Sequence, residues 1–338
     1  MRFQGVNIVG VSHVDAPHRI STEEIDNTMA STYARLGLPA RLLENLTGVR
    51  ARRFWDPGTQ PSDGATMAGR RALEQTGVDP ARVGVLINTS VCRDWVEPSV
   101  ACFVHNNLGL SETCLNFDIG NACLGFLDGM GVVGNMIERG QIDYGLVVDA
   151  ESSRYVVEQT LARLSHESCD ETMLKQQLAT LTVGSGAAAM LLGSARVAPE
   201  GHRFLGSVSL AQTQHNQLCR GQVDFGLTDT RSLMAHGVAV ASRTWARAQE
   251  AFGWTSEMVD LFALHQVSEM HTQGLARTLG VNLDKAHLIY PELGNVGPAS
   301  VPMVLSKAQE AEKLSPGDRV VLAGIGSGLN CTAGAVLW

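Results

Sequence analysis

Basic residues are in short supply: 26 Lys and Arg stand against 34 Asp and Glu, a net charge of -8. A nucleic-acid binder carries a basic surplus, so that class is excluded, while a locally basic mouth for a phosphorylated ligand is not. Paired cysteines are also missing. Seven are scattered at positions 92, 102, 114, 123, 169, 219 and 331, an odd number with no CxxC pair. That excludes a disulfide framework and points to a reduced, cytoplasmic chain with one or two special thiols at most. The N-terminus, MRFQGVNIVGVSH, lacks an apolar segment long enough for export. Residues 320–338 carry no charge, yet GIGSGLN in their middle is turn chemistry. Two buried strands joined by a glycine turn are expected there, and no transmembrane segment.

What remains is a globular balance, 44% apolar and 18% charged over 338 residues, enough for about two domains. Helical and strand-like segments alternate, so the class is α/β. The pattern occurs twice. AGRRALEQTGVDPARVGVLINTS and ARAQEAFGWTSEMVDLFALHQ both read as helix, glycine stop, loop and apolar strand, with Val83 and Val259 in matching places. NNLGLSETCLNFDIGNACLG and RTLGVNLDKAHLIYPELGNVG then share helix end, Leu-Gly, loop, strand and a loop opening a new helix. A tandem duplication follows, with halves at 1–195 and 196–338 whose helices pack between two sheets. The segment at about 154–180, rich in Glu, Arg, His and Asp, reads as an exposed helical insertion, a solvated face, lid or dimer element.

Cys123 follows a strand-like run and opens a helix bearing Gly125, Gly129, Gly131 and Gly134. Unpaired N–H groups and the dipole at a helix start stabilise thiolate, so its pKa is expected below the free value of about 8.5. A helix tolerating so many glycines is expected to be buried and closely approached. The bland alternative is an inert buried cysteine, the reading kept for the other six.

A nucleophilic thiol needs a histidine, and ten are available. His265, directly after an apolar strand, lies at a strand end where active-site side chains collect; on the residues alone it stays one candidate of several. His271, six residues on, does not share its helix face, which argues against a metal pair. Asn295, in PELGNVGPASVP, either caps or turns the chain or donates to an oxyanion. GIGSGLN lacks the helix and acidic partner of a dinucleotide site, so a turn aiming N–H groups at a reacting carbonyl is the functional reading.

Together NACLGF, LHQ, GNVGPASVP and GIGSGLN resemble the thiolase superfamily, in its ketoacyl-synthase III branch, over nearly the whole chain. The resemblance implies a five-layered αβαβα thiolase fold, a Cys123–His265–Asn295 triad, an oxyanion hole from the N–H groups of Cys123 and Ser327, acyl-thioester substrates and a homodimer. In RDWVEPSVA, Glu97 stands where decarboxylating initiators of the branch carry an apolar aromatic. This segment, VSHVDAPHRIST and GIGSGLNC are similar to the head-to-head condensing enzymes of long-chain olefin biosynthesis. There a glutamate entering the partner's site removes the α-proton.

That likeness implies an acyltransferase performing a non-decarboxylative Claisen condensation of two long-chain acyl-CoAs to a 2-alkyl-3-oxo acid through an acyl-cysteine. No metal or redox cofactor is implied, CoA being part of the substrate, and downstream pathway enzymes are possible partners. Arg220 in NQLCRGQVD reads either as a contact to CoA phosphate or as a solvated arginine. The rivals are a decarboxylating 3-oxoacyl-ACP synthase III or a polyketide or β-lactone starter enzyme, and a catalytically silent partner subunit. The complete residue set argues against the last. A thiol redox protein is a third, disfavoured because no second cysteine adjoins Cys123 in sequence.

Overall fold

A computed structural model describes residues Met1–Trp338. In the first half run β1 (Val6–Asp15), β2 (His18–Ser21), β3 (Ala51–Phe54), β4 (Val83–Asn88), β5 (Leu115–Asp118), β6 (Tyr144–Glu151) and β7 (Gly186–Ser194). The second half contributes β8 (His202–Ala211), β9 (Cys219–Gly221), β10 (Gly226–Thr228), β11 (Leu261–Leu264), β12 (Arg319–Gly326) and β13 (Asn330–Leu337). β12 and β13 pair antiparallel across the GIGSGLN turn, as the glycines there require.

Nine strands join in the order β11-β12-β13-β8-β1-β7-β6-β4-β5. The expected two sheets are therefore linked by hydrogen bonds, through just two register pairs, Asn7 with Arg203 and Ile8 with His202. Every residue of β6 is buried, which its unbroken run YGLVVDAE requires of a strand covered on both faces. Helices Gly125–Glu138 and Ser300–Glu310 lie inside: Met130, Val133, Met303 and Val304 share one core with Ile87 and Val147 of one half and Ala263 and Leu322 of the other. Helices Pro61–Thr76 and Val100–Leu108 cover the outer face of the first half, and Thr230–Phe252 and Glu269–Leu279 that of the second. The layering is αβαβα.

The glycine-rich helix is buried as expected. A Cβ on Gly125 would meet the Thr89 carbonyl oxygen at 2.9 Å, and one on Gly129 the Val147 side chain at 3.0 Å. Two expectations differ. The second copy's counterpart of β5 shrinks to one bridge, Phe262 with Ala286. The buried Gln266 side chain supplies what a strand would: its Oε1 accepts from the N–H groups of Ile289 and Tyr290, and its Nε2 donates to the His287 carbonyl. The segment after Glu151 is helical, Arg154–Ser165 and Glu171–Gln177, but not a solvated face. Val157, Leu164, Cys169 and Leu174 form a satellite core with Ile25, Met29, Tyr33 and Phe54, hidden in sequence because only one residue in three or four turns inward.

Candidate active site

Three chain segments converge at the inner ends of the strands. Cys123 follows β5 in a turn just before the helix Gly125–Glu138. The turn is clamped from both sides: Asn121 Nδ2 donates to Asp128 at 2.6 Å, and Asn330 Nδ2 donates to Asn121 Oδ1 at 2.9 Å. Ala122 takes a left-handed φ of 44°, a conformation that costs a non-glycine residue roughly 1–2 kcal/mol and is held by the surroundings. β12 ends against this turn. A Cβ on Gly326 would lie 3.5 Å from the Cys123 nitrogen, and one on Gly324 would lie 3.1 Å from the His265 Cβ. The backbone N–H groups of Cys123 and Ser327 have no acceptor within the chain, so both are free donors.

His265 extends β11 by one backbone bond, its N–H donating to the Ala323 carbonyl at 2.8 Å. The Asn295 backbone is fixed without side chains, its N–H donating to Thr182 and its carbonyl accepting from Gly184. Asn295 Oδ1 accepts from the Gly297 N–H at 3.0 Å and faces His265 Nε2 at 3.2 Å. An oxygen that only accepts there puts the proton on Nε2, and the Asn295 amide N–H₂ is left free to donate. Burial holds the imidazole pKa down at about 4, reinforced by His271 and opposed by the bond to Asn295. The pair is uncharged at pH 7, its Nε2–H resting on Asn295 Oδ1.

The thiol differs from expectation. Burial pushes Cys123 up to about 12, the nearby Cys219, Glu151 and Asp149 add to the rise, and only its own backbone N–H opposes it. Cys123 precedes the helix's N-cap residue, Leu124, and packing withdraws water from the sulfur; desolvation outweighs the dipole. Cys219, set aside on sequence, is thus brought near Cys123 by the β9–β10 hairpin. The next residue, Arg220, is exposed.

Glu97 lies in the loop between β4 and the helix Val100–Leu108, exposed on the single chain beside Val96, which is 93% exposed, and Trp95. Two buried acids of β6 were missed. Asp149 accepts from Thr89 Oγ1 at 2.6 Å, and Glu151 accepts from the N–H groups of Val91 and Cys92 at 2.7 and 3.3 Å. Burial raises both carboxyls above their usual range, Asp149 further, with the Glu151 charge adding to it. Their signal was an acid pair inside an apolar strand, LVVDAES, where a solvated side chain has no place.

Two family profiles match: 3-oxoacyl-[acyl-carrier-protein] synthase III over residues 117–212, and its C-terminal region over 249–338. The acyl-CoA:acyl-CoA alkyltransferase of Xanthomonas campestris pv. campestris is 45% identical over 338 residues, 100% of both chains. That of Shewanella oneidensis is 37% identical over 352 positions, again 100% of both. The crystal structure of cerulenin-bound Xanthomonas campestris OleA, 45% identical, superposes with a TM-score of 0.99 over 100% of this chain and 98% of that one. A cysteine-to-serine variant of that OleA with bound lauric acid and lauroyl-CoA, also 45% identical, gives 0.98 over 99% of this chain and 100% of that one. The chain belongs to the acyl-CoA:acyl-CoA alkyltransferase (OleA) family, in the 3-oxoacyl-ACP synthase III branch of the thiolase superfamily.

Proposed function

We propose that the protein joins two long-chain acyl-CoAs by a non-decarboxylative Claisen condensation, giving a 2-alkyl-3-oxo acid, in a cytoplasmic homodimer that hands its product to downstream enzymes. Residues 1–195 supply the nucleophile and 196–338 the donor pair. Cys123 attacks the first thioester as its proton passes to the departing CoA, so acyl-cysteine and CoA thiol form without net charge. The tetrahedral oxygen is received by the N–H groups of Cys123 and Ser327. The second acyl-CoA places its thioester oxygen beside the Asn295 N–H₂ and His265 Nε2, whose N–H then shares itself between Asn295 Oδ1 and the incoming oxygen, so two uncharged donors meet the enolate. Glu97 of the other protomer takes the α-proton, and the carbanion attacks the acyl-cysteine. Collapse releases the Cys123 sulfur, which recovers the proton from Glu97. Water then cleaves the remaining thioester. Arg220, at the exposed edge of the hairpin, is assigned to the CoA phosphates.

The observation that supports the non-decarboxylative reading is Glu97, exposed with Trp95 and Val96 on a surface loop, as a carboxylate reaching a second chain would need to be. Solved variants of the Xanthomonas relative alter a glutamate, a cysteine and a histidine at the same spacings as Glu97, Cys123 and His265. The test is to incubate the purified protein with one long-chain acyl-CoA and analyse products by mass spectrometry. A 2-alkyl-3-oxo acid, or the ketone it decarboxylates to, is expected. Product that forms only after a malonyl thioester is added overturns the reading in favour of a decarboxylating synthase.

A further inference from the structure

The loop that carries Glu97 is tied down at both ends, at its far end by the Asp118 carboxylate, which accepts from the N–H groups of Val100 and Ala101 at 3.1 and 2.9 Å, and is nearly free of hydrogen bonds in its middle. Residues 89–92 are stitched to β6 in order: Thr89 Oγ1 to Asp149, Ser90 Oγ to the Ala150 N–H at 2.9 Å, and the N–H groups of Val91 and Cys92 to the Glu151 carboxylate. Between Cys92 and Ser99 one further hydrogen bond is made, from the Ser62 N–H to Asp94 Oδ1 at 2.9 Å. Glu151 is 6% exposed, and its carboxylate is the last buried anchor before Glu97 emerges. It also touches the other half of the site, since a Cβ on Gly297, in the turn after Asn295, would lie 3.3 Å from its carboxyl carbon. A carboxylate holding two backbone N–H groups makes the strong, charge-assisted kind of bond.

We propose that Glu151 is a positioning residue for Glu97, fixing the direction in which its own chain's loop leaves the body. The inference rests on the reading of Glu97 as a base serving the partner's site. It follows that Glu151 of one protomer governs the condensation carried out in the other.

Two differently tagged chains, one Cys123→Ala and one Glu97→Gln, are co-expressed and the mixed dimer is purified. Only the site of the Glu97→Gln chain is complete, because it keeps Cys123 and receives Glu97 from the Cys123→Ala chain. Glu151→Gln is then added to either chain, and condensation of a long-chain acyl-CoA is measured beside acylation of Cys123. On the Cys123→Ala chain we expect a loss of tenfold or more, at least fivefold greater than the loss on the Glu97→Gln chain. Equal losses, a greater loss on the Glu97→Gln chain, or no loss on either overturns the inference. A starting mixed dimer that does not condense overturns the shared site itself, and the inference with it. Glu151→Asp keeps the charge on a shorter arm, and the same asymmetry is required of it if the Gln variant does not fold.

Discussion

At the scale of the residue, the chemistry is set by what burial does to each group. Because the thiol of the free enzyme lies near 12, iodoacetamide should alkylate Cys123 about tenfold faster per pH unit from 7 to 10. A rate already level by pH 8 would mean a thiolate and contradict the desolvation argument. Glu97→Gln should leave acyl-cysteine formation intact while condensation falls roughly 10²–10⁴-fold, the usual contribution of a general base. Asn295→Leu removes one enolate donor and should cost roughly 10²–10³-fold in condensation. Normal turnover in either variant, followed by product mass, removes that residue from the mechanism. Cys123, His265 and Asn295 stood out only as candidates because each follows a strand or precedes a helix, and it was the resemblance that joined them. The state of the thiol was not legible, since a helix start announces its dipole in sequence, whereas its burial and the neighbouring charge of Cys219 and Glu151 are set by the fold.

At the scale of the element, glycine in the helix Gly125–Glu138 is a packing requirement. Alanine is the better helix former by about 1 kcal/mol. Nevertheless Gly125→Ala should destabilise the protein, because its Cβ would meet a backbone oxygen at 2.9 Å that cannot rotate away. A loss of about 1–3 kcal/mol in urea unfolding is expected; a gain would show that the helix can shift. The repeated grammar of the sequence corresponds to β4, β5 and β11 and to the loops that follow them. It failed at His287–Tyr290, where one side chain, Gln266, replaces a strand partner, and periodicity has no symbol for that. It failed likewise at Asp149 and Glu151, whose donor partners lie some sixty positions earlier in the chain.

At the scale of the whole molecule, the buried imidazoles shape stability against pH. His13 and His265, each 5% exposed, have pKa values lowered by burial to about 4. Between pH 6.5 and 4 the unfolded chain binds protons that the folded one does not, so these groups contribute stability above pH 6.5 that is lost as pH falls toward 4. Each should account for about 2–3 kcal/mol of that loss. Glu151, raised instead, runs the opposite way and favours the folded state as pH falls through the same range. His13→Gln should therefore flatten the decline in unfolding free energy between pH 7 and 4.5; an unchanged slope would show that His13 protonates freely in the fold.

The setting of Asn295 decides which sequence changes the active centre can absorb. Its main chain is registered to Thr182 and Gly184 by backbone groups alone, so substitutions among their side chains need not displace it. Two positions are excepted. A side chain on Gly184 would strike the Leu293 carbonyl oxygen at 2.0 Å, and one on Gly294 that of Thr182 at 2.1 Å. Divergence within the family can thus remodel the surroundings of the catalytic amide freely while these two glycines stay fixed, and a chain that has lost either has lost the means of presenting it.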